Sequence, residues 1–204
     1  MSDWAEVYRS NVAALTALAE GLSVEQLSLR VPATPDWDVH DVLAHLAGSP
    51  ADVLSGRMDG APSAEWTARH VAERSARTPE DLVTELRGSV DGVVASLDGS
   101  DSPALVWNAA VHHADLHEAL GKGAPPEVHW RPVLEALAPR ALGEHADAVA
   151  GVPDYELFRA LFSRRSRAQM AAWGTPLDQE TLDAMCLFGP RDDDQPVPER
   201  GRTA

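Results

Sequence analysis

Apolar side chains recur along this chain at intervals of three and four, the period of an amphipathic helix, and no stretch alternates as a half-buried strand does. The first run covers about Asp3 to Glu20. Trp4, Tyr8, Leu15, Leu18 and Leu22 fall on one stripe, and Gly21 is placed to end the helix. Asn11 shares that stripe, where a polar side chain is either a register device or the wall of a pocket. Pro32 and Pro35 lead into a second helix that Asp38 caps, with Asp41 in its first turn. Its inner face is Val39, Val42, Leu43 and Leu46, flanked by His45, and Gly48-Ser49-Pro50 is expected to weaken or kink its far end. The connection from about Ser55 to Arg77 holds a short helix around Glu65 to Ala76. It is too long for a tight turn and predicts a crossover.

Thr78 and Pro79 open a third helix lined by Leu82, Leu86, Val90, Val93 and Leu97, and Asp98 to Asp101 end it. Ser102-Pro103 opens a fourth, closed by Gly121, whose inner face carries Leu105, Ala109, His112, Leu116 and Ala119. A Pro/Gly break from Gly123 to Pro126 precedes two further helices, about Pro132 to Ala150 and Asp154 to Trp173. The predicted fold is therefore all-α. It is a four-helix bundle (1–122) with a long crossover between helices 2 and 3, a helical C-terminal extension (123–190) and a charged, disordered tail (191–204).

Composition narrows the partners. With 204 residues the chain can bury a real core, and its net charge of −15 argues against nucleic acid and against an anionic membrane surface. Cys186 is alone, so no internal disulfide forms, and the start has neither the basic nor the apolar region of a signal peptide. These features point to a cytoplasmic protein, monomeric or homodimeric, that handles small molecules.

Neither a Gly-rich phosphate loop, a nucleophile elbow nor a CxxC pair is present, which leaves histidine as the candidate chemistry. His45 and His112 lie on helices that face each other in a bundle, and neutral imidazoles there suit a divalent metal. Asn108 lies four residues before His112 and Asp115 three after, so these side chains can converge on one spot. His113 and His117 form a second i, i+4 pair on the neighbouring face, for which the sequence offers no third ligand. His40, His70, His129 and His145 read as surface or interhelical residues. Arg164, Arg165 and Arg167 form a basic cluster, either a solvated face or an anion clamp for substrate carboxylates. Trp37, Trp107 and Asn11 are candidate pocket walls.

Three segments carry a resemblance. "VPATPDWDVHDVLAHLAG", "WNAAVHHADLHEALG" and "DYELFRALFSRRSRAQMAAW" resemble, in order, the second-helix entry, the fourth-helix motif and a C-terminal segment of the mycothiol-dependent maleylpyruvate isomerase family. That family is a branch of the DinB-like metal-binding four-helix bundles. The resemblance implies a divalent metal, usually zinc, on His45, on His112 and on the position held here by Asn108, where the family has Glu. Asp115 or His113 is an alternative or additional ligand. It further implies an isomerase or S-transferase that uses mycothiol and acts on a small electrophile. A non-catalytic binding protein of the same fold and a hydrolase using metal-bound water remain the alternatives.

Overall fold

The structure, a computed structural model, describes residues 3–97 and 103–198. Among these residues there is no sheet, only an isolated bridge between Arg30 and Asp38. The helices start where the capping signals place them. Asp3 accepts the Glu6 N–H and opens α1 (Trp4–Glu20). A single turn, α2 (Val24–Leu27), was not anticipated. Asp38 and Asp41 form a reciprocal capping box at the head of α3 (Val39–Ser55), each carboxylate accepting the other's backbone N–H at 2.9 and 3.1 Å. The crossover holds α4 (Ala64–Arg74), and Thr78 with Pro79 opens α5 (Pro79–Ser96). The fourth bundle helix is α6 (Ala104–Ala119), and Gly121 leaves it with the positive φ (65°) that glycine adopts without strain. The expected Asp98–Asp101 terminator and the Ser102 start signal lie outside the described residues.

α1 and α3 each pack against both α5 and α6, which gives the ring order α1, α5, α3, α6, while α4 lies along α3. α6 is buried nearly all round, from Val106 through Leu116 and Glu118. One side meets the bundle, and on the other the Arg159 guanidinium of the extension bonds the Val111 carbonyl and the Asp115 and Glu118 carboxylates. One hydrophobic cluster runs from Leu15, Leu46 and Leu82 of the bundle to Trp130, Tyr155 and Phe158 of the extension. No described helix is long and apolar enough to cross a membrane.

α3 runs through the Gly48-Ser49-Pro50 segment, with Pro50 inside the helix, and continues to Ser55, where the connection was expected to begin. Gly48 is there because α4 crosses it: a Cβ at this position would lie 2.6 Å from His70 Cβ and 2.9 Å from an Arg74 nitrogen. Gly48→Ala is therefore expected to lower stability by about 1–3 kcal/mol through overpacking, read as a reduced urea midpoint.

The two long C-terminal helices are each broken. The first stops as α7 (Arg131–Leu142) at Gly143, whose φ is 51°, and short 3-10 turns follow. The second is divided into α8 (Asp154–Leu161) and α9 (Arg167–Ala171) by Ser163, at φ 61°. Ser163 N–H bonds Ala160 O and Arg164 N–H bonds Arg159 O, both at 2.8 Å, the two closing bonds of a Schellman turn. A last short helix, α10 (Gln179–Ala184), packs on α9.

Part of the expected disordered tail is tied to the body. Arg191 donates to the carbonyls of Pro32, Ala33 and Ser163, Asp192 pairs with Arg167, and buried Gln195 exchanges bonds with Gln169. Residues 199–204 lie outside the described residues.

Candidate functional site

His45 and His112 do meet. Their ring centroids are 5.0 Å apart, with Trp37 packed 5.1 Å from the first ring and 6.3 Å from the second. Two imidazoles sharing one tetrahedral ion at metal–nitrogen distances of about 2.0–2.1 Å have centroids about 5 Å apart, so this spacing fits a common ligand position.

The hydrogen bonds fix which nitrogen of each ring is free. Asp52 is buried; burial pushes its carboxyl up, but bonds from Arg69 and His70 outweigh that and hold it below the usual carboxylate range. As a carboxylate it only accepts, so the His70 Nε2–H donates to Asp52 Oδ2 (3.1 Å). Burial lowers the His70 pKa, so the ring is neutral and its Nδ1 accepts the His45 Nδ1–H at 3.1 Å. His45 is held well below its ordinary pKa by burial and by the His112 ring. With its proton on Nδ1, its Nε2 carries a lone pair that meets Asn108 Oδ1 at 3.1 Å, a contact between two acceptors that a cation between them, or an amide turned to present Nδ2, would relieve.

His112 is pinned in the same way from the other side. Burial raises the Asp115 carboxyl, but Arg164, Arg159 and His112 bring it well below the ordinary value. The His112 Nδ1–H donates to Asp115 Oδ2 at 2.9 Å, and the ring is neutral because burial outweighs that carboxylate. Two bare imidazole nitrogens and an amide oxygen thus form a set of acceptors with no proton between them. Such a set suits a cation, and a carboxylate-anchored histidine is the usual way a metal ligand is oriented.

The same geometry sorts the remaining candidates. Asp115 spends both oxygens on His112, Arg159 and Arg164, so it orients His112 and is not left free to ligate. His113 is consecutive with His112, about 100° round the helix. It points to α1, where its Nδ1 is 3.1 Å from Asn11 Oδ1, so neither it nor Asn11 belongs to the His45 site. Trp37, and not Trp107, is the indole whose ring lies against the two histidines.

The anion-clamp expectation for Arg164 and Arg165 is also corrected. Arg165 is fully buried and bonds Glu118, Glu156 and the Arg164 carbonyl. Arg164 bonds Asp115 and the Phe162 carbonyl. The physical reason is charge balance: Asp115, Glu118 and Glu156 face Arg159, Arg164 and Arg165 in one interior cluster, where an unpaired carboxylate would be costly. Arg167 pairs with Asp183 and Asp192 nearer the surface.

His70 and Asp52 were missed as site residues. A signal existed: His45, Ser49 and Asp52 follow at i, i+4 and i+7 on α3, so three polar side chains interrupt one buried stripe. The His70 partner on the crossover helix has no such marker.

A further grouping, Asp38, His40 and Asp41, brings ligand atoms within 4.8 Å of one another. Its carboxylates already bond the α3 N-terminal backbone and His40 Nε2 bonds the Arg77 carbonyl, so helix capping accounts for it.

The family model described as mycothiol maleylpyruvate isomerase N-terminal domain matches residues 8–120, more than half of the chain. No curated protein and no solved structure matches the chain. The matched span contains α3, α5 and α6 and all of α1 beyond its first turn, together with His45, Asn108 and His112, and the chain belongs to the mycothiol maleylpyruvate isomerase N-terminal domain family.

Proposed function

We propose that this protein is a metal-dependent enzyme that uses a low-molecular-weight thiol, mycothiol, in an isomerase or S-transferase reaction on a small electrophile. The observation that carries this reading is the proton-free acceptor set of His45 Nε2, His112 and Asn108 Oδ1, pinned from behind by His70–Asp52 and by Asp115. These three residues would hold a divalent ion, zinc by preference for imidazole ligands. When bound, such an ion supplies Lewis acidity, which lowers the pKa of a thiol beside it and makes it nucleophilic at neutral pH. The protein's own part is to fix both ring tautomers and to offer the Trp37 face as an apolar wall. Arg164 and Arg165 have their donors engaged, so the substrate that fits is neutral and apolar, not a carboxylate. On this reading the protein works in the cytoplasm, with small molecules as partners and neither nucleic acid nor a membrane.

The test is metal content of the purified chain and of variants. Wild type is expected to carry zinc, His45→Ala to lose it, and Asn108→Glu to bind it at least tenfold more tightly by adding a charged oxygen. A thiol should then perturb the spectrum of the cobalt-substituted protein. Equal metal content in wild type and His45→Ala sinks the proposal. Asn108 also favours a second reading, because a neutral amide gives a weaker site than the family's Glu: a binding protein that keeps the metal and has no thiol-dependent turnover. Metal retained with hydrolysis independent of thiol would instead indicate a hydrolase.

A further inference from the structure

The last described segment of the chain lies well beyond the matched residues 8–120, yet it touches the loop that walls the His45–His112 site. Arg191 makes the contact. Its Nη1 donates to the Ala33 carbonyl at 3.2 Å and its Nη2 to the Pro32 carbonyl at 3.4 Å, both in the loop that carries Trp37. That loop is closed on itself: Val31 N–H bonds the Trp37 carbonyl at 3.0 Å, and Trp37 N–H bonds the Thr34 carbonyl at 2.8 Å. Where the loop sits, the indole follows, and the indole packs on both histidine rings.

The other end of this clasp is a fixed corner. Arg191 Nη1 also reaches the Ser163 carbonyl at 3.4 Å, and the Ser163 hydroxyl accepts the Phe188 N–H at 3.0 Å. Both oxygens of the left-handed serine therefore serve the C-terminal segment, and such a conformation persists where its surroundings over-determine it. Arg164, next in sequence, is bound to Asp115, the carboxylate that orients His112. Arg191 is itself held in place. Asp193 grips its Nε–Nη2 edge, with the Nε bond at 2.8 Å, and its carbonyl accepts the Arg167 N–H at 2.9 Å. A planar guanidinium held in this way presents its donors to separate carbonyls at once. The segment does not need these bonds to stay attached, because Asp194 and Gln195 already anchor it to Ser166 and Gln169 at the head of α9.

We propose that Arg191 is a positioning residue of the candidate site: it clamps the Pro32–Trp37 loop to the Ser163 corner and so fixes the Trp37 indole over His45 and His112. The inference rests on the reading of Trp37 as the apolar wall of that site. The surface against which a neutral electrophile packs is then set from the C-terminal extension, outside the matched domain.

Acrylamide quenching of the metal-free full chain tests this, with the Trp37 signal taken as the difference from the same chain carrying Trp37→Phe. Arg191→Ala is expected to raise the Trp37 quenching constant about twofold, as a half-buried indole becomes exposed through local opening. Asp193→Asn, at an exposed position, should raise it less. Arg131→Ala removes an arginine paired with Glu127 and Asp154 elsewhere on the extension and should leave it unchanged. Circular dichroism checks each fold. Wild-type Trp37 quenching in a folded Arg191→Ala chain overturns the proposal, and so does an equal rise in Arg131→Ala. If Arg191→Ala does not fold, Asp193→Asn decides, and unchanged quenching there overturns it. The readout needs no metal, so a wild-type chain without zinc would remove the proposed function and leave this result to be read on its own.

Discussion

Arg159→Met is expected to destabilise the protein by about 3–5 kcal/mol, because it removes one partner of a buried ion cluster and leaves the others charged. Arg159 is fully buried and its guanidinium bonds Asp115 at 2.6 Å and Glu118 at 2.7 and 3.2 Å. Methionine keeps much of the volume but none of the charge. For a chain of this length that loss lowers the melting temperature by about 6–20 °C. The effect should also reach the candidate metal site. Asp115 would keep only Arg164 and His112, its carboxyl would rise, and its grip on the His112 tautomer would loosen. Metal affinity should therefore fall in a residue that touches no proposed ligand directly. Arg167→Met is the control. Its pairs with Asp183 and Asp192 are near the surface, where such pairs are worth about 0–1 kcal/mol. Equal melting temperatures for the two variants would show that the interior cluster does not hold the extension to α6.

Acidification should unfold the metal-free protein well above the range where carboxylates titrate. The folded state holds His45, His70, His112 and His113 neutral, mainly through burial. In the unfolded chain each returns to about 6.5. A histidine depressed in the fold binds fewer protons folded than unfolded, so its stability contribution is intact above 6.5 and lost as the pH falls below that value. For His113, lowered to about 3, the window runs from 6.5 down to 3. The loss is about 1.4 kcal/mol per pH unit, so about 2 kcal/mol at pH 5 from this group alone. The other three act in the same direction. Urea midpoints in the presence of a chelator should thus drop steeply between pH 7 and pH 5, and His113→Gln should flatten the slope. A midpoint unchanged over that interval would mean that the rings are not held neutral.

Legibility in the sequence divides along a physical line. Helix starts were legible because capping is local: Asp3, Asp38 and Thr78 bond backbone groups within three residues, and the sequence displays those residues together. The crossover was legible from its length, and the pairing of His45 with His112 from the two inner faces together with the family resemblance. Breaks that depend on tertiary contacts were not legible. Ser163 takes a left-handed conformation that serine avoids, held by its Schellman bonds and by its hydroxyl accepting the Phe188 N–H at 3.0 Å. That Gly48 is a packing residue was not legible, because the neighbour that requires it, His70, is 22 positions away. The sequence by itself determined the helical bundle and the presence of imidazoles in its interior. Only the tertiary structure decided what each one does. Two consecutive histidines point about 100° apart, so His112 faces α3 while His113 faces α1. Their protonation is set by Asp115 and Asn11, and that of His45 by His70 and Asp52. Three of these partners, Asn11, His70 and Asp52, come from other helices or lie two turns along, and proton placement depends on them.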